Sequence, residues 1–180
     1  MKGQDNPELI LSNAVSKDFK KGDILLRTGD YSEVAYYVEK GCLRSFVIDS
    51  KGKEHILQFA PEGWLISDLE GMVNKKSSNL YIDAIEDTTV RILKGEERFV
   101  PEVLEKPVLI ELVQKFQKRI FTLQKRVIQL ISATAEERYN DFNLTYPDLA
   151  NRIPQKMIAS YLGITPESLS RVRKDISTHK

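Results

Sequence analysis

The chain has 180 residues, of which 41% are hydrophobic and 29% charged. This composition is typical of a folded globular protein and excludes the disordered, collagen-like and mini-protein classes. It contains no run of about 18 apolar residues and no apolar stretch behind its start that could serve as a signal peptide, so we expect a cytoplasmic protein with no membrane partner. Cys42 is the only cysteine, which excludes an internal disulfide framework, a cysteine-based zinc site and an iron–sulfur cluster held by one chain; no metal site is predicted.

The charge is distributed unevenly along the chain. The net charge is only +1, but residues 1–100 carry 14 Lys and Arg against 17 Asp and Glu, whereas residues 101–180 carry 13 against 9. The last 32 residues hold six basic residues and two acidic ones. Positive charge concentrated at the C-terminal end predicts that this end contacts a polyanion.

The first 100 residues are predicted to form one domain, an antiparallel β-roll. Glycines recur between short runs rich in β-branched and aromatic residues, which is typical of an all-β roll or sandwich. The predicted strands are residues 24–26, 35–38, 43–48, 55–59, 64–66, 80–85 and 89–93, with a hairpin turn at 49–53. A short helix over about residues 7–16 is predicted to lead into the roll.

Residues 101–132 are predicted to form a dimerisation helix, because the apolar period becomes helical from Pro107 onward. The apolar residues recur at spacings of four and three as a heptad repeat, with β-branched residues at a and mostly Leu at d, which favours a parallel two-stranded coiled coil. The predicted dimer seam consists of Val113, Ile120 and Val127 at a and of Leu109, Phe116, Leu123 and Leu130 at d. The e and g positions carry no acidic partners for Arg119 and Arg126, and the repeat spans only about three heptads. The alternative is therefore a single amphipathic helix packed on its own domain.

Residues 133–180 are predicted to form an all-α helix-turn-helix domain. Small Ala159 allows two helices to cross closely, and Gly163 stands where the first helix must end in a left-handed conformation. Thr165 and Pro166 then provide the N-cap and the first-turn proline of a second helix, residues 166–176. The predicted fold class is thus α+β: an N-terminal antiparallel β-roll of the double-stranded β-helix type, a long dimerisation helix and a C-terminal helix-turn-helix.

The second helix of this motif carries side chains that suit DNA recognition. Its N-terminal members are placed to contact base edges and its C-terminal members to contact phosphates. The predicted DNA-binding residues are Glu167, Ser168, Ser170, Arg171, Arg173 and Lys174. Arg171 can bond guanine in a bidentate manner, and Glu167, one turn away, can accept from the cytosine amino group. The alternative for this pair is an exposed i,i+4 salt bridge on a solvated helix.

The order of these parts resembles the CRP/FNR family of bacterial transcription regulators, over nearly the whole chain. The most specific element is Glu167-Ser168-Leu169-Ser170-Arg171, which is similar to the E-x-x-S-R recognition pattern of the FNR-type branch. The resemblance implies that Glu167, Ser170 and Arg171 contact bases in a palindromic half-site. We therefore expect a homodimer on double-stranded DNA with an inverted-repeat operator. The chain stops soon after Lys174, so the β-hairpin wing of many family members is not expected.

The resemblance also implies a roll similar to a cyclic-nucleotide-binding domain, in which a short helix and a buried arginine hold the sugar and the cyclic phosphate. The candidate effector-pocket residues are Trp64, Ser67, Asp68, Ser78 and Asn79, with Asp68 in the acidic role toward a ribose hydroxyl. Ser78 and Asn79 stand where the phosphate arginine belongs, and a phosphate buried without a charge-assisted partner loses much of its binding energy. We therefore expect weak or no cAMP binding and a degenerate or non-cAMP sensor whose small-molecule effector is open.

No catalytic motif accompanies these features, so the chain is not expected to be an enzyme. It contains no G-x-S-x-G, no P-loop and no H-E-x-x-H. The main alternative is a cyclic-nucleotide-type sensor or dimeric adaptor whose C-terminal helices bind a protein instead of DNA. The loop at residues 49–53 is a candidate contact for RNA polymerase, although its composition equally fits a plain hairpin turn.

Overall fold

The computed structural model describes residues 11, 14–94 and 105–178, and these have the predicted α+β architecture. The described strands are Val15–Phe19 (β1), Ile24–Leu26 (β2), Val34–Lys40 (β3), Leu43–Ile48 (β4), Glu54–Ala60 (β5), Leu65–Ile66 (β6), Tyr81–Ala84 (β7) and Thr88–Lys94 (β8). The described helices are Leu69–Asn74 (α1), Lys106–Ser132 (α2), Ala135–Thr145 (α3), Leu149–Arg152 (α4), Gln155–Leu162 (α5) and Pro166–Thr178 (α6). Among the described residues, no helix combines the length and the apolarity needed to cross a membrane.

The strands form two four-stranded sheets, in the orders β1-β8-β3-β6 and β2-β7-β4-β5. The pairings of β1 and β3 with β8, of β3 with β6 and of β2 with β7 are antiparallel. In the first sheet, Ile92 of β8 lies opposite both Val15 and Tyr36. Among the described strands, β5 lies at the edge of the second sheet, so one side of its backbone has no strand partner there.

Seven of these strands are the predicted ones, and β1 is an addition. Strand β1 begins at Val15, where the sequence predicts the end of a helix; most of that predicted helix falls on residues outside the described part of the chain. The first four residues of β1 are exposed, so neither face of the strand is regularly buried. The strand therefore lacks the alternation of apolar and polar residues by which a strand is recognised in a sequence. The predicted dimerisation segment corresponds to α2 from Lys106 onward; residues 101–104 lie outside the described ranges, and Glu105 precedes the helix.

The core of the roll consists of alternate residues from the strands. The buried apolar cluster comprises Leu26, Tyr36, Val38, Leu43, Ala60, Ile66, Ile82, Ala84 and Val90. A turn at Gly41, with a φ of 88°, brings the chain against the next layer: a Cβ on this residue would lie 2.5 Å from the carbonyl oxygen of Asp87. Only glycine satisfies both the backbone angle and this approach.

The chain divides into two compact units. The first comprises Met1–Ser45 and Phe59–Ile120, and the second comprises Phe46–Gln58 and Phe121–Lys180. The tip of the β4–β5 hairpin therefore belongs to the same unit as the C-terminal helices. We call residues 46–58 the hairpin segment.

The turn of the hairpin segment is organised by the carboxylate of Asp49. This carboxylate accepts hydrogen bonds from the backbone N–H groups of Lys51 and Lys53, at 2.9 and 3.0 Å, and lies 2.7 Å from Nε2 of His55. The hydrogen bond with His55, followed by the bond from Lys53, lowers the pKa of Asp49 from 3.8 to about 2. The turn is thus held by an ionised side chain.

We expect Asp49 to remain mostly ionised at pH 3, where an unperturbed aspartate is mostly protonated. Because its folded pKa of about 2 lies below the unfolded value of 3.8, the carboxylate stabilises the turn fully above about pH 5 and loses this effect progressively as the pH falls through about 2. An NMR titration of the Asp49 carboxyl carbon measures the midpoint. In His55→Gln the midpoint should move up toward 3.8, and a wild-type midpoint already at 3.8 would contradict the assignment.

Candidate DNA-binding surface and effector domain

The helix-turn-helix begins with α5, which ends at Gly163 in the predicted left-handed conformation. Gly163 has φ 66° and ψ 33°. Its N–H donates to the carbonyl of Ser160 at 3.2 Å, and the N–H of Ile164 donates to that of Ala159 at 3.0 Å. This pattern is the Schellman motif. A Cβ on Gly163 would lie 3.2 Å from Cδ2 of Leu130, so the turn also packs closely against α2.

The second helix, α6, begins at a defined residue. The hydroxyl of Thr165 accepts a hydrogen bond from the backbone N–H of Ser168 at 3.2 Å, and Pro166 is the first residue of the helix. The prediction of an N-cap followed by a first-turn proline is confirmed. The Thr165 hydroxyl also donates to Oγ of Ser168 at 3.1 Å, so Ser168 takes part in the cap.

Apolar side chains fix the angle between the two helices. Ile158, Leu162 and Leu169 are buried, as the motif requires. Three aromatic rings also pack together, with centroid distances of 5.3 to 5.9 Å. They belong to Phe142 in α3, to Tyr146, which ends α3, and to Tyr161 in α5. With its apolar side buried, α6 presents its polar side to solvent.

The exposed side of α6 carries most of the predicted DNA-binding residues. Glu167, Ser170, Arg171 and Lys174 are exposed, whereas Ser168 and Arg173 are half-buried. The backbone N–H of Glu167 itself, the Thr165 hydroxyl and the charge of Arg171 lower the pKa of the Glu167 carboxyl, which is therefore ionised at neutral pH. The described residues include no ion pair between Glu167 and Arg171.

The polar groups of two candidate effector residues, Asp68 and Ser78, serve the local fold. One oxygen of buried Asp68 caps α1 by accepting from the N–H of Gly71 at 3.1 Å. The hydroxyl of buried Ser78 accepts from the N–H of Leu80 at 3.0 Å and contacts its carbonyl at 3.2 Å. Trp64 packs against the core of the roll, Ser67 is half-buried and Asn79 is exposed.

A buried ion pair in the roll is absent from the sequence predictions. Nε and Nη2 of Arg44 in β4 donate to the two carboxylate oxygens of Asp83 in β7, at 2.8 and 2.9 Å. The side chains are only 6% and 14% exposed. The sequence does contain a signal for this pair: Arg44 and Asp83 have opposite charges, and each lies within an otherwise largely apolar strand.

The predicted dimer seam on α2 is partly turned toward solvent. Its a residues Val113, Ile120 and Val127 are exposed, as is Leu130. Leu109, Phe116 and Leu123 are half-buried, and Phe116 packs against an apolar cluster of the first unit. Further apolar side chains are exposed on the same helix: Ile110, Phe121, Ile128 and Ile131.

The sequence and the fold are similar to those of known proteins. A family model described as a cyclic nucleotide-binding domain matches residues 16–98. The transcriptional activator protein Anr of Pseudomonas protegens is 30% identical to the chain over 168 residues, which cover 87% of this chain and 68% of Anr. The chain belongs to the CRP/FNR family of transcription regulators.

Solved structures of CRP/FNR-type regulators show the same fold. FixK2 from Bradyrhizobium japonicum superimposes with a TM-score of 0.79 at 24% identity, covering 92% of this chain and 85% of FixK2. A CRP/FNR-family transcriptional regulator from Thermus thermophilus gives a TM-score of 0.70 at 18% identity, covering 92% and 87% of the two chains. Members of the CRP/FNR family are DNA-binding transcription regulators and not enzymes, so the expectation of a non-enzyme is confirmed.

Proposed function

We propose that the chain is a homodimeric, sequence-specific DNA-binding transcription regulator that places residues 166–176 of α6 in the major groove. The observation that carries the proposal is the row of exposed polar side chains on α6. Glu167, Ser170 and Arg171 face solvent while Leu169 between them is fully buried, so the helix is anchored on one side and open on the other. In helix-turn-helix proteins, the N-terminal residues of this second helix contact base edges.

Charge and position assign different roles along α6. Arg171 has the donor geometry for guanine and Glu167 the acceptor geometry for cytosine, whereas Arg173 and Lys174 lie further along the helix, where phosphates are met. Arg152 and Lys156, both exposed, add positive charge before α6. Six basic residues against two acidic ones over residues 149–180 support binding to a polyanion.

The dimer part of the proposal is supported by the exposed apolar side chains of α2. In the single chain, the side chains of Val113, Ile120 and Val127 are exposed to solvent on one helix. A second copy of the chain can bury this apolar surface. Two recognition helices related by a two-fold axis contact successive major grooves about 34 Å apart. The operator is then an inverted repeat.

The roll is proposed to act as a degenerate or non-cAMP sensor. Asp68 and Ser78 are engaged in capping and turn hydrogen bonds, and the buried guanidinium of Arg44 is bonded to Asp83. No arginine stands at the positions of Ser78 and Asn79 to meet a cyclic phosphate. The same hypothesis places the protein in the cytoplasm and makes an exposed loop such as residues 49–53 a candidate contact for RNA polymerase.

Fluorescence anisotropy tests the proposed function. The purified protein, without ligand, is titrated onto its own upstream DNA and onto a scrambled duplex of the same length, at several salt concentrations. Tight binding to the upstream duplex alone, with a steep salt slope, is expected. Absence of binding to either duplex at low salt would favour a protein-binding adaptor.

Replacing Arg171 with Ala is expected to reduce affinity and specificity together. The loss of a bidentate base contact should cost about 1–3 kcal/mol and relax the preference at one operator position. Anisotropy on a set of duplexes with single base substitutions measures both effects.

Lys174→Ala is the matched control for Arg171→Ala, because it removes one positive charge from the same exposed helix. A phosphate contact contributes equally to every sequence, so this variant should weaken all duplexes alike and lower the salt slope by about 1. If Arg171→Ala also weakened every duplex equally, its assignment to a base contact would be wrong.

A further inference from the structure

Two side chains of the second unit bind the backbone of β5 in the hairpin segment. Nη2 of Arg126, from α2, donates to the carbonyl of Ile56 at 2.9 Å, and Nη1 donates to the carbonyl of Leu57. The hydroxyl of Ser160, from α5, accepts from the N–H of Ile56 at 3.1 Å and donates to the carbonyl of Glu54 at 2.9 Å. Strand β5 is the edge of its sheet among the described residues, and Arg126 and Ser160 satisfy both backbone groups of Ile56 in it.

The same guanidinium also completes the end of α5. The last four carbonyls of a helix lack partners within it. In α5, the N–H groups of Ile164 and Gly163 donate to the first two of these carbonyls, those of Ala159 and Ser160. Nη2 of Arg126 donates to the carbonyl of Tyr161 at 2.9 Å, and Nη1 of Arg138 donates to the carbonyl of Leu162 at 2.8 Å. Arg126 therefore contacts the hairpin segment and the end of α5 at once, whereas Arg138 contacts the end of α5.

The environment of Arg126 makes these contacts hard to replace. Its guanidinium carbon lies 4.1 Å from the ring centroid of Tyr161, and burial lowers the pKa of Arg126. In the described part of the chain its charge meets three carbonyls and this ring, with no carboxylate in an ion pair with it. The planar fork of arginine suits several acceptors and an aromatic face together, which the single ammonium of lysine does not.

We propose that Arg126 and Ser160 are positioning residues for DNA recognition: they dock the hairpin segment on the end of α5 and thereby set the turn from which α6 departs. Moving the hairpin segment away would take from Arg126 two of its three carbonyl acceptors and from Ser160 both of its partners. A half-buried charge would then be left with unsatisfied hydrogen bonds, so docking and the geometry of the turn favour each other. This inference rests on the proposed function, since α6 is the helix being positioned.

Hydrogen–deuterium exchange tests the docking without DNA. Arg126→Gln and Ser160→Ala should each raise the exchange rate of the Ile56 amide by roughly tenfold or more, because its protection depends on the docked state. Arg138→Gln is the matched control: it also removes a donor from the end of α5 but has no bond to the hairpin segment, so Ile56 should exchange as in the wild type. Ser160→Ala, a small change at a half-buried site, keeps the comparison valid if Arg126→Gln fails to fold. Wild-type exchange of Ile56 in Ser160→Ala would overturn the proposal.

Anisotropy on the upstream duplex tests the consequence for DNA binding. Arg126→Gln should reduce affinity by roughly tenfold with an unchanged salt slope, because Arg126 acts by positioning and does not contact phosphate. Adding Ser160→Ala to Arg126→Gln should reduce affinity little further, since both variants lose the same docked state. An equal loss of affinity in Arg138→Gln would overturn the proposal, because capping of α5 alone would then explain the effect. If the wild-type protein bound both duplexes equally, the proposed function would be contradicted. The exchange rates of Ile56 would still show whether Arg126 and Ser160 dock the hairpin segment.

Discussion

Asp83→Ala is expected to destabilise the roll by about 3–5 kcal/mol, because it leaves the guanidinium of Arg44 buried without its carboxylate. Both Nε and Nη2 of Arg44 lose their acceptors at 2.8 and 2.9 Å, and the 6% exposed side chain has little access to water. A loss of this size is a large fraction of the stability of an ordinary domain. Urea denaturation at neutral pH, followed by circular dichroism, measures it.

The double variant Arg44→Met/Asp83→Leu is the control for this prediction. Removing both charges with apolar side chains of similar size abolishes the cost of an unpaired buried charge, so most of the stability should return. Recovery in the double variant identifies the unpaired charge as the cause of the loss. Equal destabilisation of the single and double variants would instead assign the loss to packing in β4 and β7.

The roll and the helix-turn-helix could be predicted from sequence because their signals are local. Apolar runs between glycines located seven strands, and the Gly163 stop and the Thr165 cap depend on residues within one turn of the positions they specify. The Arg44–Asp83 pair joins residues 39 apart in the chain, and Arg126 joins residues 70 and 35 positions away. The periodicity of the sequence does not indicate such distant partners.

The candidate surfaces show the same distinction between local pattern and tertiary contact. The residue types of α6 suggested which side chains contact DNA, and the structure leaves four of the six exposed. The heptad on α2 located apolar positions but could not separate those that face solvent from those that pack on the roll. Phe116, at a d position, packs on the roll, whereas Ile110, Phe121, Ile128 and Ile131 are exposed outside the a and d positions. The helix packs on its own unit with part of its apolar surface and leaves the rest exposed. The exposed apolar stripe is therefore broader than the predicted a and d seam and does not coincide with it.

Ile120→Glu is expected to convert the dimer to a monomer and to lower affinity for an inverted-repeat duplex by about 100-fold or more, because binding of both half-sites by one linked pair is lost. Ile120 lies near the middle of the exposed stripe, and its side chain is 59% exposed in the single chain, so glutamate has little cost for the folded monomer. In a two-fold coiled coil, however, the two substituted residues face each other and bury two like charges. Sedimentation equilibrium measures the mass, and anisotropy on duplexes with one and with two half-sites measures the affinity.

Leu144→Glu is the matched control for Ile120→Glu, since it makes the same kind of change at an 81% exposed position on α3. It alters the net charge equally and lies off α2, so it should leave the dimer and the affinity close to those of the wild type. The affinity of Ile120→Glu for a single half-site should also stay close to the wild-type value, because α6 is unchanged and only the linkage between two copies is broken. A dimer that persists in Ile120→Glu with full affinity for the inverted repeat would show that the copies associate through another surface.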